Sequence, residues 1–137
     1  MKNIVFDTSV AIKWFFPEKG KDKAGDLKKS HLQGKISLCT RDLFLYEFTS
    51  AFKNYKAIKI EEKDFLLAVC ALRSLKLKIY PLEYDELKEL FSISRKLQIS
   101  IYDASFLSLA KRLRAPFYTA DKKLYEKGKG FIPVFFV

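Results

Sequence analysis

Four carboxylates, Asp7, Glu47, Asp103 and Asp121, stand where ordinary surface acids do not. Asp7 ends the apolar run Ile4-Val5-Phe6, and Asp121 follows the short run Phe117-Tyr118-Thr119. Glu47 lies within Leu43-Phe44-Leu45-Tyr46-Glu47-Phe48, and Asp103 within Ile101-Tyr102-Asp103-Ala104-Ser105-Phe106. An acid set in apolar sequence is partly desolvated and stays ionised only beside a compensating partner. Several such acids drawn together call for a cation. Magnesium and manganese suit them, since both prefer oxygen ligands from carboxylates, waters and substrate phosphates. An ion held this way activates water and stabilises the charge that builds on a phosphorus centre and its leaving oxygen. Four acids suffice for one ion or for two. Taken singly, Asp7, Asp103 and Asp121 could equally cap helices or begin turns. Glu47 has no such task inside a helix, and the coincidence of all four favours a site.

The elements that must position these acids follow from periodicity. Lys2 to Phe6 reads as a short buried strand, and Asp7-Thr8-Ser9 starts a helical segment that Pro17 and Gly20 stop. Residues 21–32 read as a charged helix and 35–39 as a second strand. Asp42 is placed to cap a helix whose Phe44, Phe48, Ala51, Phe52 and Tyr55 recur with a period of about 3.6 residues. Helices over 61–75 and 84–97 flank a strand over 77–81. Their inner sides are expected at Phe65, Leu66, Val69, Leu72 and Arg73, then at Leu87, Leu90, Phe91 and Ser94. A helix over 101–113 places Asp103, Phe106, Leu107 and Ala110 on one face. A strand over 115–119, a short helix over 122–127 and a last strand over 132–137 complete the chain.

This alternation predicts an α/β fold in a single domain, residues 1–137, with a central, mostly parallel sheet of four to five strands and helices on both faces. In such sheets sites form outside the carboxyl ends of the strands. Asp7 and Asp121 occupy that position, and a helix starting on the same side brings in Asp103.

Composition narrows the chemistry. Hydrophobic residues make up 49% of the 137, enough for a real core. The apolar runs fall far short of the ~20 residues needed to span a bilayer, and the N-terminus lacks a signal-peptide pattern. A cytoplasmic protein without membrane association is expected. Cys39 and Cys70, not in a C-x-x-C spacing, read as small core residues. The sole histidine, His31, is expected on a helix surface, so histidine-based zinc and triad chemistry lack parts. A P-loop is absent, and Ser9 stands where a dehalogenase-type phosphatase needs a second Asp. The formal charge is +10, from 26 basic and 16 acidic residues. A basic body around a small acidic hole suits a polyanion.

The segments Ile4 to Ser9, Leu45 to Phe48, Ile101 to Ala110 and Tyr118 to Asp121 together resemble a PIN domain, in that family's order and approximate spacing. The chain is most similar to VapC-type toxins of bacterial and archaeal toxin–antitoxin pairs. That resemblance implies a Mg²⁺- or Mn²⁺-dependent endoribonuclease in which water attacks the phosphodiester of single-stranded or structured RNA. It implies Asp7, Glu47, Asp103 and Asp121 as the catalytic, metal-binding acids. Ser9 and Thr119 would be small hydroxyls orienting ligands or bound water. It further implies a homodimer or higher homo-oligomer, and a cognate antitoxin whose tail covers or enters the active-site groove. Residues 75–97 carry no recognisable family residue. The alternative is a non-catalytic PIN-fold RNA-binding or regulatory module, whose function resides in basic clusters such as Lys111-Arg112-Leu113-Arg114 and Lys122-Lys123.

Overall fold

A computed structural model describes residues 2–137. Among them the strands are β1 (Lys2–Phe6), β2 (Ile36–Arg41), β3 (Lys78–Tyr80), β4 (Phe117–Thr119) and β5 (Val134–Phe136). The helices are α1 (Thr8–Ile12), α2 (Lys21–Leu32), α3 (Leu43–Asn54), α4 (Glu62–Leu75), α5 (Leu87–Leu97), α6 (Ile101–Leu113) and α7 (Lys122–Gly128). The strands form one sheet in the order β3-β2-β1-β4-β5, and every pairing is parallel. Parallel neighbours require crossovers, and the crossover helices bury both faces of the sheet. β1 makes this visible within five residues. Ile4 and Phe6 point into one core and Val5 into the other.

The first core is aromatic. Phe44, Phe48 and Phe52, the inner stripe of α3, are all buried, as periodicity predicts. Phe48 and Phe52 lie 4.7 Å apart between ring centroids, and Phe6 meets Phe44 edge-on at 5.5 Å. Trp14 packs tilted against Phe6 and donates its indole N–H to the Ala24 carbonyl at 2.8 Å. The second core is built on α6, buried without a break from Ala104 to Ala110. Its two serines remain satisfied: Ser105 donates to the Tyr102 carbonyl at 2.6 Å and Ser108 to Glu89 at 3.1 Å.

Several local expectations are corrected. Asp42 makes no side-chain cap, because its own backbone is already helical (φ −63°, ψ −24°) and a capping residue must be extended. α1 ends at Ile12, well before Pro17. β2 runs on to Arg41, which is buried. On α4 only Ala68 and Leu75 are buried, and Leu66 is exposed. On α5 the buried pair is Leu90 and Ile93, while Leu87 and Phe91 face outward. There a 3-10 turn over Tyr84–Glu86 replaces the first helical turn, and the inner stripe runs Glu86, Leu90 and Ile93 at helical spacing, with Glu86 in the place expected of Leu87. Cys39 is a core residue, but Cys70 is exposed. His31 is no free surface group either. Its Nδ1 accepts from the Leu38 N–H at 3.1 Å, and Nε2 lies 2.6 Å from the Leu75 carbonyl, joining α2, β2 and the end of α4.

Three helices end without glycine in a conformation that favours it. Lys76, Gln98 and Arg114, the residues after α4, α5 and α6, have φ of 51°, 55° and 53°. A β-carbon is disfavoured in this left-handed region by roughly 1–2 kcal/mol. Lys76→Gly and Gln98→Gly are therefore expected each to stabilise the protein by about 0.5–1 kcal/mol. Urea unfolding would read this as a higher midpoint at unchanged slope; a lower midpoint would show that the two side chains stabilise more than the strain costs.

Candidate active site

The strand order places a topological switch beside β1. The chain leaves β1 for β2 on one side, and β4 joins on the other. The carboxyl ends of such a pair leave a crevice that no crossover covers. Asp7 follows β1 and Asp121 follows β4, so these acids flank it.

Asp7 is buried, 6% exposed, with an extended backbone that lets it cap α1 by accepting from the Ser9 N–H at 3.1 Å. Two hydroxyls hold its carboxylate. Ser9 Oγ donates to Oδ1, and Thr119 Oγ1 donates to Oδ2 at 2.6 Å. Each hydroxyl also accepts a backbone N–H, Ser9 from Ala120 at 2.8 Å and Thr119 from Asp121 at 3.0 Å. Every proton in this strap has an acceptor, and it ties the end of β1 to the end of β4. Asp121 caps α7 by accepting from the Leu124 N–H at 3.1 Å, and is exposed.

Glu47 comes from the flank of α3, outside the aromatic stripe. Its Oε1 accepts from Thr8 Oγ1 at 2.8 Å, so the residue after Asp7 aims the second acid. Asp103 sits in the first turn of α6, whose cap is Ser100: the Ser100 hydroxyl accepts from the Asp103 N–H at 3.0 Å. The capping roles foreseen for Asp7 and Asp121 are thus real, but they occupy one oxygen of each. Glu47 and Asp103 cap nothing. Sequence reasoning missed Thr8, whose signal was only its place beside Asp7.

The charges feel one another. Burial pushes Asp7 up from its ordinary 3.8 to about 7; the bonds from Ser9 and Thr119 work against this, and the charges of Asp103 and Glu47 add to it. Glu47 is raised by burial and by Asp103, against the bond from Thr8. Asp103 is raised by burial and by Asp121, against its bond to Ser100. All four acids therefore share one field.

Among the described residues, no group of three or more His, Cys, Asp or Glu side chains is drawn together closely enough to hold a metal ion. Glu47 accepts from a hydroxyl and Asp121 from a backbone amide. The donor set nonetheless fits a hard divalent ion. It is all oxygen, and at Asp7, Glu47 and Asp103 burial first and neighbouring acids second raise the carboxyls. Asp7, Glu47, Asp103 and Asp121 are the residues that could hold it.

Comparison with known proteins agrees with this architecture. No curated protein matches the chain. PAE2754 from Pyrobaculum aerophilum shares 22% identity and a TM-score of 0.64, over 96% of this chain and 90% of that one. A toxin–antitoxin complex from Klebsiella pneumoniae gives 16% identity and a TM-score of 0.70, over 96% and 95%. FitAB bound to a DNA fragment also gives 16% and 0.70, over 96% and 93%. At these identities the likeness is one of fold. The family match is direct, because the PIN domain covers residues 4–130, from the first core residue of β1 to the turn before β5. The chain belongs to the PIN domain family, a family of nucleases.

Proposed function

We propose that the protein is a metal-dependent endoribonuclease hydrolysing RNA phosphodiester bonds, and the toxin of a toxin–antitoxin pair. The observation that carries this reading is Asp7, a carboxylate buried at the switch point and raised to about 7 in the company of two other acids. A divalent ion, Mg²⁺ or Mn²⁺, would supply an activated water and offset charge on the leaving oxygen. The chain's own residues prepare for this. Ser9 and Thr119 fix both oxygens of Asp7. Thr8 holds Glu47 toward the same crevice, and the Ser100-capped first turn of α6 presents Asp103. An excess of basic residues over the rest of the chain favours a polyanionic substrate.

The partner is a cognate antitoxin. Two of the similar structures are a toxin–antitoxin complex and FitAB on DNA. Leu66 and Leu67 on α4, 54% and 70% exposed, are apolar surface of a kind that protein partners cover. A homodimer in the cytoplasm completes the reading. Among the described residues no helix is long and apolar enough to cross a membrane.

The metal-free protein tests the electrostatics. Asp7 binds its proton more tightly folded than unfolded, so its contribution favours folding below about pH 4 and is lost as pH rises through about 7. A shift of this size corresponds to roughly 4 kcal/mol. Asp7→Asn removes that burden but replaces one carboxylate oxygen with an amide donor, so one of the two hydroxyls must redirect its proton, leaving an expected gain of about 1–2 kcal/mol at pH 8 in chelator. At pH 4 the gain vanishes. Millimolar Mn²⁺ should raise the melting temperature of the wild type at pH 8 and leave Asp7→Asn unmoved. A variant that melts below the wild type at pH 8 without metal contradicts the reading.

Catalysis has its own test. A single-stranded RNA incubated with the protein is expected to be cut with Mn²⁺ or Mg²⁺ and left intact in chelator. Asp7→Asn and Asp103→Asn should each slow cleavage by about a hundredfold or more. Binding without cleavage in every metal would instead assign a non-catalytic RNA-binding module.

A further inference from the structure

Arg41 is the bulkiest fully buried side chain among the described residues, 1% exposed at the end of β2. A guanidinium cannot shed its proton, so a full charge lies in the interior and requires compensation. The compensation reaches three segments. Nη2 donates to Glu86 Oε1 at 2.6 Å, Nη1 to the Pro81 carbonyl at 3.1 Å, and Nε to the Ser105 carbonyl at 2.9 Å. Glu86 is buried and fully engaged in turn. Its Oε2 accepts from the Glu83 N–H at 3.0 Å and from Arg112 at 2.7 Å. Burial would raise the Glu86 carboxyl, but the bonds from Arg41, Glu83 and Arg112 outweigh burial and hold it below the usual range.

Stability alone is a weak reason for such an arrangement, since buried ion pairs replaced by apolar groups often leave a protein as stable or more so. The bond to Ser105 suggests another. Ser105 lies two residues beyond Asp103, and its own hydroxyl closes back on the Tyr102 carbonyl at 2.6 Å. Arg41 therefore grips the turn of α6 that carries Asp103. Apolar packing by Ala104, Phe106 and Leu107 fixes how far α6 stands from the sheet, yet such contacts have no direction. An N–H···O bond does, and it sets the helix along and about its axis. The other end of the lever is equally fixed. Arg41 closes the strand beside β1, where Thr40 Oγ1 donates to the Phe6 carbonyl at 2.8 Å, one residue before Asp7.

We propose that Arg41, anchored by Glu86, is a positioning residue that sets Asp103 against Asp7 and Asp121. This rests on the acidic-site reading above. The test is the double variant Arg41→Met/Glu86→Gln, which removes the buried charges together and keeps an acceptor for the Glu83 N–H. Three quantities are measured on the full chain. The melting temperature should stay within a few degrees of the wild type. In metal-free protein, amide exchange over residues 101–105 should quicken by about tenfold or more while α3 is unchanged. The Mn²⁺ dissociation constant from calorimetry should rise about 10–100-fold, the usual effect of losing an outer support of a metal ligand. Unchanged exchange over 101–105 overturns the proposal whatever the calorimetry gives. A wild type that neither binds Mn²⁺ nor cuts RNA defeats the nuclease reading instead, and the exchange result still decides the role of Arg41. Should the double variant fail to fold, Arg41→Lys keeps the charge, loses the fork, and must show the same local loosening.

Discussion

A carboxylate lies at the buried end of the central strand, and most of the molecule answers to it. β1 has a neighbour on each side, so whatever follows Phe6 is walled in by β2 and β4. A charge placed there loses water through topology alone. Ser9 and Thr119 return part of the lost solvation as hydrogen bonds, and by doing so they lash two strand ends together. Glu47 and Asp103 then make the place less tolerable for an anion. Stability would select against this grouping, and a bound cation would select for it. The tension between the two is the usual mark of a site kept for function.

The fold was legible because its signals are local and repeated. Alternating apolar runs and helical stripes announce a parallel sheet, and the five observed strands all lie where short β-branched or aromatic runs stand. Asp7 and Asp121 stand out as candidates because strand ends are easy to read, and Glu47 because an acid between Tyr46 and Phe48 has no local excuse. What escaped had partners far away in the chain. Arg41 looks like the polar residue that ends a strand, and only Glu86, 45 positions on, turns it into a core residue. His31 looks like helix surface until Leu38 and the Leu75 carbonyl close on it. The stripe of α5 turns on the Arg41–Glu86 pair. Glu86 is drawn inward to Arg41 and the buried face continues through Leu90 and Ile93, while a charged residue gives no apolar signal for where it starts. The left-handed ends at Lys76, Gln98 and Arg114 lack the glycine that would have marked them.

Two buried charge centres lie near the same end of β1 and β2, built on opposite principles. Around Asp7 like charges gather, and among the described residues no basic side chain pairs with it, so the carboxyl holds its proton more tightly. Around Arg41 opposite charges gather and each of its three nitrogens has a partner, so its charge is already answered. The first arrangement is open to a ligand, and the second is closed. Their proximity has a physical logic, since a site poised to bind must be surrounded by groups that are not.

The four acids come from four separate elements, and the two on helices are aimed by residues that are not acids themselves. Thr8 holds Glu47, and the fork of Arg41 holds the turn that bears Asp103. Asp7 and Asp121 need less help, because a strand end and a helix cap already fix their backbones. Precision at the site is therefore unevenly distributed. A related chain could keep all four acids and still lose the geometry by changing a threonine or a buried arginine, and its sequence would look intact. On the reading proposed above, the acids mark where a reaction is possible, while their supports decide whether the oxygens stand close enough together for it.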